Sequence, residues 1–269
     1  MTIATDRVRL DRRVPPLGGF TLTYLGIELK RKLRNRRTLL FTVAFPVVMY
    51  ILIGLPQRDV PLTDTPLSAG GPSVAAYIMV SMAMYGAMMS ATQTGASVAV
   101  ERAQGWSRQL RLTPLNPLVN VITKMIAGML LGLLAVAATY LAGAVTGVQL
   151  DAVQWIATGL AGWLLAGAVF TTLGLMVGYI VPGENAAQIT SLVIVFLAFL
   201  GGLFYPLSSM PDFMQTIAHF TPVYGISQIA RAPLTGDPFD IWALVNAIVW
   251  LGLFLAGTAY FFRRDTKRV

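Results

Sequence analysis

The sequence predicts an all-α membrane protein with six transmembrane helices, and three observations carry that prediction. Hydrophobic residues make up 55% of the 269 and charged residues only 12%, whereas a soluble domain carries about 25% charged residues. Such a chain has too little polar surface to cover itself in water. Six apolar segments, at 38–55, 74–98, 118–145, 153–180, 186–205 and 241–262, have the roughly 20 residues that a helix rising 1.5 Å per residue needs to cross ~30 Å of hydrocarbon. They are continuously apolar and do not alternate over about ten residues, so helices are preferred to a barrel. Finally, 18 of the 20 Lys and Arg lie before residue 38, after residue 262, or in the connection between spans two and three, where Arg102, Arg108, Arg111 and Lys124 are counted. The positive-inside rule then puts both termini of a multi-pass plasma-membrane protein in the cytoplasm. The cytoplasmic connection at 181–185 has no basic residue and gives that topology no support.

Three regions follow from this layout: a cytoplasmic tail with an interface helix at 1–37, a membrane domain at 38–262, and a basic tail at 263–269. Within 20–37, Leu22, Leu25, Leu29 and Leu33 share one helical side while Lys30, Arg31, Arg34 and Arg37 point away from it. That is the pattern of a helix lying at anionic headgroups; a plain basic anchor for the first span is the alternative. The first apolar run exceeds the length of a signal-peptide core and lacks a small-residue cleavage site, so it reads as a retained span. Pro46 within it predicts a kink.

Residues 98–117, VAVERAQGWSRQLRLTPLNP, are too long and polar for a minimal turn. On a helical wheel Ala103, Trp106 and Leu110 share one side and Glu101, Arg108 and Arg111 the other, with Pro114 and Pro117 ending the helix. An amphipathic helix that a partner grips and a solvated basic loop both fit. Between spans five and six, Pro206, the Phe213, Ile217 and Phe220 face, and Pro222 mark an interrupted apolar stretch, with neither piece long enough to cross. Two short helices re-entering from the noncytoplasmic side account for it, as does an exposed amphipathic loop.

Composition also narrows function. Absence of Cys excludes disulfides and thiolate metal sites. One histidine, His219, and no clustered acids at membrane depth argue against an embedded enzyme. An ion-coupled carrier is disfavoured because no Asp, Glu, Lys or Arg is expected deep in the spans. A net charge of +8 would suggest nucleic acid in a soluble protein; here the basic residues flank apolar segments, and membrane lipid explains them. No G-x-x-x-x-G-K-[ST] phosphate loop occurs.

Three stretches together resemble the type 2 ABC exporter permeases of the drug, antibiotic and lipid exporting kind. These are the basic helix leading into FTVAFPVVMYILIG, the segment ERAQGWSRQLRLTPLNP, similar to the family's E-R-x-x-G-x-x-x-x-L-x-x-x-P-L, and GGLFYPLSSMPDFMQTIAHFTPVYGISQIAR at 201–231. By that resemblance 101–115 is a coupling helix gripped by an ATP-binding subunit. Glu101, Arg102, Gly105 and Arg111 match the motif, with Arg108 and Leu110 beside them; Trp106 departs from it and stands as a hydrophobic anchor. The resemblance implies that this chain binds no cofactor itself, that ATP and magnesium belong to an ABC ATPase present in two copies, and that a second permease copy or a paralogue completes the assembly. It implies export of a hydrophobic or amphipathic cargo, with a lipid-linked polysaccharide as the alternative.

Overall fold

A computed structural model describes residues 16–105, 116–181, 183, 185–207, 210–236 and 240–266. Every regular element among them is helical: α1 (Leu22–Leu33), α2 (Arg36–Gln57), α3 (Val74–Ala103), α4 (Pro117–Val145), α5 (Ala152–Ile180), α6 (Asn185–Leu200), α7 (Asp212–His219), α8 (Pro222–Thr235) and α9 (Ile241–Thr266). Helix starts follow local chemistry. Thr21, Asn35 and Ser73 accept hydrogen bonds from the backbone N–H three residues on, and Asp151 forms a reciprocal capping box with Gln154.

The bundle is organised around α3. Its residues are small or flexible on every side, chiefly Ala, Met, Ser and Gly, and most are buried. A helix apolar all round belongs in the centre, and α3 packs on α2, α4, α5, α6 and α8. Close approach depends on glycine. A Cβ at Gly95 would strike the backbone of Gly174, and one at Gly174 would strike that of Thr92. The glycine pairs Gly128/Gly132 and Gly174/Gly178 are thus used inside the chain, where α4 and α5 meet α3. Peripheral α9 and α2 leave Trp242, Ile248, Leu52 and Leu40 more than half exposed, an apolar exterior suited to lipid.

Among the described residues five helices are long and apolar enough to cross a membrane: α2, α3, α4, α5 and α9. The predicted fifth span, 186–205, is corrected: α6 stops at Leu200 after 16 residues, or about 24 Å of helix. The stop is chemical. Gly202 takes a left-handed φ of 71°, and the Leu203 N–H bonds back to the Ala198 carbonyl at 3.0 Å, a Schellman closure that turns buried Leu203 into the core. The interrupted stretch after it forms two short helices, α7 and α8. Phe213, Ile217 and Phe220 lie exposed along and just after α7, while Pro222 is buried as the first residue of α8, so this proline starts a helix as well as ending a segment. Part-buried Pro206 sits in the turn between α6 and α7.

Around Pro46, α2 changes pitch in place of a sharp break. Leu40–Ala44 and Tyr50–Gly54 are π-helical, so that the Phe45 N–H reaches the Leu40 carbonyl and the Leu55 N–H reaches Tyr50. A wider turn next to a proline that lacks an N–H absorbs the lost hydrogen bond.

Candidate coupling site at the roots of segment 104–116

The helix ending at Ala103 is longer than the predicted 74–98 span, so Glu101 and Arg102 lie on its last turn. Gly105, with φ +71°, then turns the chain out of α3. Residues 106–115 lie outside the described residues, and with them Trp106, Arg108, Leu110 and Arg111. What the structure describes is how the two ends of that segment are held.

Glu101, Arg31 of α1 and Lys124 of α4 meet at one point. The Lys124 ammonium donates to Glu101 Oε1 at 2.7 Å and to Glu28 Oε1 at 2.9 Å, and Arg31 Nη2 donates to Glu101 Oε1 at 3.1 Å. Glu28 Oε2 lies 3.2 Å from Arg31 Nη2 as an ion pair without hydrogen-bond geometry. Next to them Tyr24 OH donates to Asn120 Oδ1, and Lys32 Nζ donates to Thr94 Oγ1 on α3 at 2.8 Å. Lys124 is 2% exposed. An ammonium so deep costs several kcal/mol to desolvate, and two carboxylates in contact are what make the position tenable. The turn at Pro16–Gly19 adds a backbone clasp, since the Asn116 N–H donates to the Gly18 carbonyl at 2.9 Å.

Electrostatics here are strongly coupled. Burial, and next the charge of Lys124, pull the Lys32 pKa down from 10.5 to about 8. Burial followed by the charges of Glu28 and Glu101 push the Tyr24 phenol up to about 12, so it remains a donor. Arg102 turns the other way. Its Nη1 donates to the carbonyls of Gly178 and Tyr179 at 3.0 and 3.3 Å, and its guanidinium lies over the Tyr179 ring. A cation at the C-terminus of α5 complements the helix dipole.

Sequence reasoning placed some of this and missed the rest. Lys124 was counted in the connection between spans, and the structure corrects it: the residue is inside α4, buried. Arg231, which composition alone does not single out, is also buried. It is 3% exposed on α8, donating to the carbonyls of Ser227 and Gly202 and to Ser81, with its guanidinium 4.3 Å from the Tyr77 ring centroid. Lys124 thus lies in the opening turns of α4, toward one end of the helix and away from its middle. On α1, Lys30 and Arg34 are exposed, Leu22 and Leu33 are exposed, and Leu25 and Leu29 are part-buried. The face that docks is a third one, carrying Tyr24, Glu28 and Lys32, and Arg31 leans toward it. One signal was available: Glu28 is the sole acid between Asp11 and Asp59, and Lys124 the sole charge inside its apolar run. Two isolated opposite charges are each other's natural partners.

Among the described residues no group of three His, Asp or Glu is placed to hold a metal. Two polar side chains bind helices together: Gln93 of α3 donates to the Ala187 carbonyl and Ser191 of α6, and Asn246 of α9 bonds the backbone of Gly225 and His219. His219 stacks on Tyr224.

A bundle of apolar helices around a buried core helix, with a charge cluster anchoring a surface helix to one end, is a multi-pass membrane protein. The chain matches the model of the ABC-2 type transporter family over residues 21–234, and it belongs to that family. It is 30% identical over 241 residues to a Bacillus subtilis (strain 168) protein provisionally named transport permease YvfS, covering 88% of this chain and 95% of that one. It is also 30% identical over 191 residues to Nodulation protein J of Rhizobium leguminosarum bv. trifolii, covering 66% and 69%. The protein is thus a membrane-transporter subunit of the permease type, and permeases of this family work with ABC ATPase subunits.

Proposed function

We propose that this chain is the membrane half of an ATP-driven exporter, and that segment 104–116 is the handle by which a separate ATPase moves it. The observation that carries this reading is the charge cluster. Glu101 sits three residues before the segment and Lys124 eight after it, and α1 is bonded to both. A push on the segment therefore reaches α1, α3 and α4 together through short contacts centred on buried Lys124. Glu101 and Arg102 hold the handle to the bundle, leaving Trp106, Arg108, Leu110 and Arg111 to meet the partner. ATP and magnesium bind the ATPase, two copies of which pair with two permeases, this chain twice or with a paralogue. Both termini and the handle face the cytoplasm, and α7 and α8 cap the pathway on the far side.

The cargo is hydrophobic or amphipathic. The buried charges in the bundle, Lys124 and Arg231, are engaged by groups of the chain itself, so neither serves as a counter-charge for a strongly ionic solute. Purification in mild detergent is the first test, with the expectation that an ABC ATPase comes with the chain. Reversing Arg108 and Arg111 to Glu should then release the ATPase or uncouple hydrolysis from transport. Full activity in vesicles with no nucleotide-hydrolysing companion would refute the proposal.

A further inference from the structure

Along the outside of α2 runs an open groove of about 630 Å3, walled by Leu39, Leu40 and Val43 of α2 and Leu134 of α4, with Arg36 at one end. Every other lining side chain is aliphatic. Leu40, Val48 and Leu134 remain 57%, 46% and 44% exposed, so no described residue covers it. From Arg36 to Val48 the groove follows α2 for about 18 Å at 1.5 Å per residue, close to the ~15 Å depth of one leaflet's hydrocarbon. At its charged end Arg34, Arg36 and Arg37 are all exposed, and no Asp or Glu occurs between Glu28 and Asp59.

We infer that this groove is a binding site for an anionic phospholipid, its headgroup phosphate paired with Arg36 and one acyl chain laid between α2 and α4. Charge decides the occupant. A second copy of the chain meeting this face about a two-fold axis would bring the same patch against itself and set one arginine row opposite the other, a like-charge contact with no acid to relieve it. A zwitterionic lipid fills the aliphatic wall equally well but gains less from the arginines. The site lies beside the charge cluster, since α1 ends at Leu33 where the groove begins. It does not depend on what the transporter carries.

The test uses the full-length chain, purified in mild detergent, exchanged with equal amounts of phosphatidylglycerol and phosphatidylcholine of the same chain length, and read by native mass spectrometry. Wild type should retain phosphatidylglycerol over phosphatidylcholine by about fivefold, the equivalent of the ~1 kcal/mol that one basic residue contributes toward an anionic surface. Arg36→Gln should bring the ratio near parity, Ala44→Trp, which fills the groove, should lose both adducts, and Arg58→Gln at the far end of α2 should change neither. Melting curves establish that each variant is folded; if Ala44→Trp is not, Val43→Phe replaces it. Equal retention of the two lipids by wild type, adducts that survive groove filling in a folded variant, or a change of oligomeric mass with adducts intact would each overturn the inference, the last in favour of a second copy.

Discussion

Replacing Lys124 by Met removes one ammonium and leaves two largely buried carboxylates facing each other. The lysine is bonded to Glu28 at 2.9 Å and to Glu101 at 2.7 Å and is 2% exposed. At an effective dielectric of about 20, each contact is worth ~6 kcal/mol of gross attraction, most of it offset by desolvation. Breaking such a cluster by removing one member costs about 3–5 kcal/mol, because the two carboxylates keep only the half-exposed Arg31 as a shared partner. Lys124→Met should therefore lower the apparent melting midpoint by on the order of 10 °C. The whole cost need not fall on the bundle: α1 is the peripheral member and is free to lift away. Because the protein has no native Cys, a single Val119→Cys reporter under the Pro16–Gly19 turn, whose Gly18 packs on Val119, reads that movement as faster thiol labelling in Lys124→Met. Restoring neutrality separates charge from packing. The triple variant Glu28→Gln, Glu101→Gln, Lys124→Met should recover at least half of the lost stability and most of the protection. A Lys124→Met protein that melts and labels like wild type, or a triple variant worse than the single, would refute the electrostatic account of the cluster.

Other consequences follow from the same packing. The Lys32 pKa of about 8 lies below its unfolded value of 10.5, so between those limits the unfolded chain holds the extra proton and stability rises with pH. Raising the pH from about 7.5 to about 9.5 should therefore increase the melting midpoint, and Lys32→Met should remove that increment. Gly174→Ala sets a methyl against the Thr92 backbone and should destabilise by about 1–3 kcal/mol or prevent folding. Gly252→Ala on α9, with open space around it, should be neutral in expression and melting. Tyr77→Phe removes the hydroxyl that donates to the Gly202 carbonyl at 3.1 Å and should cost about 1 kcal/mol in a melt. Arg231→Lys loses both the ring contact and the forked donors and should cost more than Tyr77→Phe.

How much of this was legible beforehand differs by element. Continuous apolar runs identified α2, α3, α4, α5 and α9 because crossing length and hydropathy are properties of a segment, independent of its neighbours. The prolines and the interrupted pattern after residue 205 located α7 and α8 for the same reason. The end of α6 at Leu200 was not readable in this way. Leu203 and Phe204 continue the apolar run, and the stop depends on Gly202 adopting a left-handed turn that buries Leu203 against the core.

The site divides along a similar line. Glu101 and Arg102 were found by motif, but the motif is silent on where they point; the structure turns one to Lys124 and the other to the end of α5. Periodicity on α1 separated leucines from arginines and overlooked the side with Glu28 and Lys32, because a polar face that docks looks like a polar face in solvent. What the sequence by itself determined is that this chain lies in a bilayer, since that depends only on how much apolar surface each segment must hide. Which charges are buried, and with whom, was decided by the tertiary structure: Lys124 and Glu28 are 96 residues apart in sequence, and although each stands out as an isolated charge, only packing that excludes water makes them partners.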